Sequence, residues 1–100
     1  MGEVSWRLNL VSQLHWWQFG QGSYLVFNRA SGQTHIINEL CVDAIQVIEK
    51  SPDLFPLDLQ ALARMLAQRN EFLLDEEWIN YIDQMLAELD QLGLIEPIIP

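Results

Sequence analysis

Between Asn70 and Pro100 the sequence has no lysine and no arginine, against eight acidic residues. Nucleic-acid binding needs cations that neutralise phosphates and release counterions, so this third of the chain would repel a duplex. Cysteine is nearly absent as well. Cys41 stands alone, which excludes an intramolecular disulfide and suits a reducing compartment. Long apolar runs are missing: stretches such as Tyr24–Phe27 fall far short of the roughly 20 residues that cross a bilayer, and no membrane partner is expected. Met1-Gly2-Glu3-Val4 lacks the basic start and apolar stretch of a secretion signal. These absences lead to the expectation of a cytoplasmic protein.

The residue sets that carry chemistry are missing too. His15 and His35 have no second His, Cys or spaced carboxylates beside them, so no metal is expected. Gly20-Gln21-Gly22 is too short for a phosphate loop. Asp75-Glu76-Glu77 reads as the capped first turn of a helix rather than an acid/base centre. Cys41 falls on the apolar stripe of a helix, which makes it a core residue and not a nucleophile. The expectation is a non-enzyme with no catalytic residue and no cofactor.

What is present is a chain of 100 residues, half of them hydrophobic, with net charge −9 from 14 acidic and 5 basic residues. That is enough to bury one modest core in a single domain, 1–100, and too apolar for a disordered acidic tail. Strands are predicted over about 6–38. Trp6–Leu10 alternates weakly, "LHWWQF" (Leu14–Phe19) is aromatic and β-prone, and Gly20-Gln21-Gly22 turns into "YLVFN" (Tyr24–Asn28). "RASG" then forms a four-residue hairpin loop closed by Gly32 at positive φ. This register sets Asn28 opposite Gln33 and Tyr24 opposite Ile37, giving a three-stranded antiparallel meander that ends in Thr34–Asn38.

Helices are predicted over about 39–93. Asn38 caps the first, whose Cys41, Ala44, Ile45 and Ile48 follow at i, i+3, i+4, i+7, with Ser51-Pro52 as its terminator. Pro56 is the expected start of the second, with Leu59, Leu62, Ala63 and Leu66 as its stripe. Asp75 caps the third, with Leu74 and Ile79 as a hydrophobic staple and Gly93 as its stop. Leu94-Ile95 is a short final strand before the tail "PIIP". Strands followed by helices, without alternation, mean an α+β fold.

Two places carry more apolar surface than a small core uses. The strand Thr34, His35, Ile36, Ile37 places an isoleucine on each of its faces and ends a meander, leaving an open edge. The third helix bears one apolar row of Ile79, Ile82, Leu86 and Leu89, and an overlapping one of Trp78, Tyr81, Ile82, Met85, Leu89 and Leu92. One row packing inward would leave the other to line a groove, where a Met beside aromatics is adaptable. The adjacent Trp16 and Trp17 must point to opposite faces of their strand.

In order, the hairpin "YLVFN…GQTHIIN", the helix that opens directly after it, a helix near Leu57–Gln68 and a long helix ending "LDQLGLIE" resemble the PqqD-like family, also called RiPP recognition elements. The resemblance covers roughly Leu14 to Glu96. The chain also looks similar to the PqqD-like peptide chaperones encoded with HPr-kinase-related proteins. The resemblance implies a winged-helix-like domain that captures the leader segment of a precursor peptide and presents it to a modifying enzyme. In the family the leader adds as a strand to the third strand's edge and lies against the third helix. Carried over, the peptide-binding residues are Thr34, His35, Ile36 and Ile37 with Trp78, Tyr81, Ile82 and Met85. Two departures stand out: Ser51–Phe55 lacks the family's Asp-Gly, and Asn70–Leu74 lengthens the connection before the third helix. The competing readings are a winged-helix transcription regulator, which an acidic third helix disfavours, and a non-catalytic homodimer using Trp16 or Trp17 and the tail.

Overall fold

The hairpin closes where glycine allows it. In the computed structural model, which describes residues 4–8, 14–18, 20–29, 31–50 and 57–98, Gly32 has φ +73° and its N–H donates to the Asn28 carbonyl at 2.8 Å. That turn joins β3 (Ser23–Asn28) to β4 (Gln33–Asn38), and β2 (Leu14–Gln18) pairs on the other side of β3. The sheet order is β2-β3-β4, all antiparallel, with Asn28 opposite Gln33 and Tyr24 opposite Ile37 as the sequence predicts. Trp16 packs against the core and Trp17 is exposed, so the two rings do leave by opposite faces.

The step from β4 into α1 (Glu39–Lys50) takes no spacer, because Asn38 serves both elements. It ends the strand, and its Oδ1 accepts the Cys41 N–H at 2.9 Å. Ala44, Ile45 and Ile48 are buried along the predicted stripe. The terminator Ser51-Pro52 and the proposed start at Pro56 lie outside the described residues. The second helix, α2 (Leu59–Asn70), begins later than Pro56 suggests. Asp58 is its cap, with Oδ1 accepting the Ala61 N–H at 2.9 Å. Leu57–Asp58 forms the two-residue strand β5, so tertiary pairing claims the residues a helix would otherwise have taken.

That pairing belongs to a second sheet, ordered β5-β1-β6. Its centre is β1 (Ser5–Leu8), which does not join the meander, and its other edge is β6 (Ile95–Ile98). The final strand therefore runs into the apolar tail, with Pro97 tolerated on an edge strand. Arg7 and Glu96, opposite each other in register, form an ion pair at 2.8 Å.

α3 (Glu76–Gln91) starts at Asp75, whose Oδ1 accepts the Trp78 N–H at 2.8 Å. Leu74 does not complete the staple: it is exposed and does not pack against the core. At the other end Gly93 has φ +76°. The Leu94 N–H reaches the Leu89 carbonyl and the Gly93 N–H that of Asp90, which satisfies two terminal carbonyls as a Schellman motif does. The core gathers Val26 and Ile37 from the meander, Ile45 and Ile48, Leu62 and Leu66, Ile82, Leu86 and Leu89, and Leu94 with Ile95. The architecture is α+β and winged-helix-like: an antiparallel meander, three helices and a short C-terminal strand. Among the described residues no helix is long and apolar enough to cross a membrane.

Candidate functional site

β4 is an edge strand of its sheet. Its register sends His35 and Ile37 inward beside Val26 and Tyr24, and Thr34 and Ile36 outward beside Phe27 and Leu25. Ile37 is buried in the core, whereas Ile36 is 70 % exposed. The first isoleucine of "HIIN" thus turns its side chain to the outer face, and only its backbone belongs to the edge. His35 Nε2 is buried without a hydrogen-bond partner.

A pocket of about 630 Å³ opens just past the end of β4, and its lining includes Glu39 and Leu40 from the first turn of α1. Trp78 and Tyr81 from α3 form another wall, and Phe72 and Leu73 from the α2–α3 connection a third. Phe72 stacks on Trp78 with ring centroids 4.9 Å apart, and Trp78 on Tyr81 at 6.1 Å. Trp78 is held by two bonds: its backbone N–H in the Asp75 cap and its Nε1–H donated to the Ala63 carbonyl of α2 at 2.8 Å. Tyr81 is about half exposed. The wall is therefore a row of three aromatic rings pinned to α2 at its middle member.

The connection earns its shape from a strained residue. α2 ends with Glu71 in the left-handed region, φ 58°, and the Phe72 N–H closes back onto the Ala67 carbonyl at 2.9 Å. A side chain other than glycine there costs roughly 1–2 kcal/mol. The turn delivers Phe72, Leu73 and Leu74 to the surface, all exposed. The segment Asn70–Leu74 thus builds part of the pocket, through Asn70, Phe72 and Leu73.

Of the eight residues expected to bind a peptide, the structure divides the helical four. Trp78 and Tyr81 line the pocket. Ile82 and Met85 do not; Ile82 is fully buried and Met85 is 5 % exposed. At about 100° per residue, the two supposed rows fall on one broad arc, with Tyr81 at its border. α2 and β6 pack along that arc, so the second row is core over most of its length. Leu40, Phe72 and Leu73 are lining residues that helix periodicity does not reveal; the legible signal is three apolar residues in a row in a loop.

The pocket is acidic. Glu39, Asp75 and Glu77 line it, with no lysine or arginine among its lining residues. Cys41, one residue beyond Leu40, is half-buried, and burial pushes its thiol above its ordinary pKa, with the Glu88 charge adding to the effect. A thiol held protonated is a poor nucleophile. Among the described residues no three His, Cys, Asp or Glu side chains come together as a metal site. Compared with protein-family models, curated proteins and solved structures, the chain matches none significantly.

Proposed function

We propose that this protein is a non-catalytic peptide-binding domain that captures an extended segment by strand addition along β4. The observation that carries this reading is one of adjacency: the edge strand runs directly into an aromatic pocket. An added strand satisfies the free backbone groups of the edge whatever its sequence, while side chains entering a pocket confer selectivity. Thr34, His35, Ile36 and Ile37 supply the pairing edge, and Trp78 and Tyr81, with Phe72, the pocket. Loss of one aromatic anchor costs about 2 kcal/mol, roughly thirtyfold in affinity.

The resemblance to PqqD-like chaperones supports naming the segment as the leader of a precursor peptide, handed on to a modifying enzyme in the cytoplasm. The carboxylates around the pocket favour leaders bearing lysine or arginine, chiefly through the association rate. Helix α3 bears no cation, which weighs against a winged-helix reader of duplex DNA. The test is anisotropy titration of labelled leader segments, taken from precursor peptides encoded beside this gene, against a duplex of random sequence. Leader binding at micromolar protein with no duplex binding supports the proposal; duplex binding with a steep salt dependence and no leader binding would sink it.

A further inference from the structure

The pocket at the end of β4 combines an aromatic wall with unpaired carboxylates. Phe72, Trp78 and Tyr81 lie nearly parallel, at 25° and 21°, and the two end members of the row are exposed. A stack open at its ends presents ring faces, whose negative quadrupole attracts a cation. The side-chain nitrogens of the lining already donate elsewhere: Trp78 Nε1–H to the Ala63 carbonyl and the Asn70 amide to the Leu66 carbonyl at 2.9 Å. Asp75 spends one carboxylate oxygen on its cap. Among the described residues the ion pairs are Arg7–Glu96 and Arg69–Asp43, which leaves Glu39 and Glu77 without a cation. The helix ends do not reverse this balance. α1 and α3 both begin at the pocket, and two N-termini of about half a positive charge each, set against three carboxylates, leave it negative by about two charges.

We infer that this pocket is a subsite for one arginine side chain of the captured segment. A planar guanidinium lies flat on an aromatic face while its fork of donors meets a carboxylate, and it sheds its water more readily than an ammonium does. Lysine is therefore the weaker ligand. The methylene stem of the arginine covers Leu40 and Leu73, both apolar members of the lining. The inference rests on strand addition only for where the arginine sits in the segment. Because the pocket opens just past Asn38, where β4 ends, the arginine flanks the paired stretch and does not lie within it. A diffuse negative field speeds the arrival of any basic segment. A subsite differs in kind: it holds one residue at one position and slows its release.

The first test needs no peptide. Titration of the full chain with N-acetylarginine amide, followed by nuclear magnetic resonance, should move the ring signals of Trp78 and Tyr81. The arginine amide should bind roughly tenfold more tightly than the norleucine amide, with the lysine amide between them. Glu39→Gln and Glu77→Gln should each weaken arginine binding several-fold. Glu49→Gln, the same change of charge near the far end of α1, should leave it unchanged. Tyr81→Leu keeps apolar bulk but removes a ring face, so it should lower arginine affinity and spare that of norleucine. The second test is calorimetry with two synthetic peptides of identical composition, a threonine–valine stretch with a single arginine either before or after it. One order should bind roughly tenfold more tightly than the other, because only one end of the paired stretch reaches the pocket. Peptides that fail to bind while the arginine amide still moves both rings would remove strand addition and support the subsite. An arginine amide that binds no better than norleucine, a Glu49→Gln effect as large as that of Glu39→Gln, or equal affinity for the two peptide orders would each overturn the subsite.

Discussion

The two ends of α3 are written in similar residues and behave differently. The first turns hold Trp78 and Tyr81 among acidic neighbours, and both rings line an open pocket. The later turns hold Met85, Leu86 and Leu89 among acidic neighbours, and all three are buried. What differs is the company. β6 and Leu94 return along the C-terminal half after the Gly93 turn, whereas beside the N-terminal half the Glu71 turn swings the chain outward as Phe72 and Leu73. Exposure on this helix is decided by what lies next to it, and only then by its own periodicity.

The largest expected effect tests the sealed end. Leu86→Ala should lower folding stability by about 2–5 kcal/mol, the usual cost of a cavity at a fully buried site, and Met85→Ala should fall in the same class. Chemical denaturation measures both. A Met85→Ala protein of wild-type stability would return that residue to the groove.

Tyr81→Ala sharpens the contrast from the open end. Half exposed, Tyr81 should cost less than about 0.5 kcal/mol of stability, as surface positions do, while peptide affinity falls roughly thirtyfold. Trp78 is the poorer probe, since its bond to the Ala63 carbonyl couples α3 to α2 and any substitution mixes binding with folding. Equal losses of stability for Tyr81→Ala and Leu86→Ala would erase the distinction between the two ends.

The third test concerns how the open end is held. Asp75→Ala removes the cap on the Trp78 N–H and should cost about 1 kcal/mol, read as a lower thermal midpoint. Asp75→Asn, which retains a capping oxygen, should recover most of it. The smallest effect has the opposite sign. Glu71→Gly relieves the left-handed residue that ends α2 and should add up to about 1 kcal/mol of stability. A loss of stability instead would mean that the Glu71 side chain makes a compensating contact.

Much of the fold was legible because it is encoded locally. Gly32 closes one hairpin, Asn38 and Asp75 offer side-chain oxygens at helix starts, and Gly93 permits one sharp stop; each specifies its neighbours within a few residues. The second sheet was not legible. β5 has two residues and β6 contains a proline, so neither has a pattern of its own, and both exist because β1 lies between them. The same distinction runs through the candidate site. The β4 edge followed from its being the last strand of a meander. The pocket depended on where a five-residue connection places Phe72 and Leu73, and Met85 was misplaced because a helix pattern cannot say how many neighbours flank its apolar arc.

Strand addition at β4 is tested most directly by amide hydrogen exchange of Gln33–Asn38, with and without a saturating leader peptide. In an edge strand alternate residues turn their N–H groups away from the sheet. Those amides should exchange quickly in the free protein and become strongly protected in the complex, with β2 at the opposite edge unchanged. Tight peptide binding that leaves every β4 amide exchanging as before would contradict strand addition.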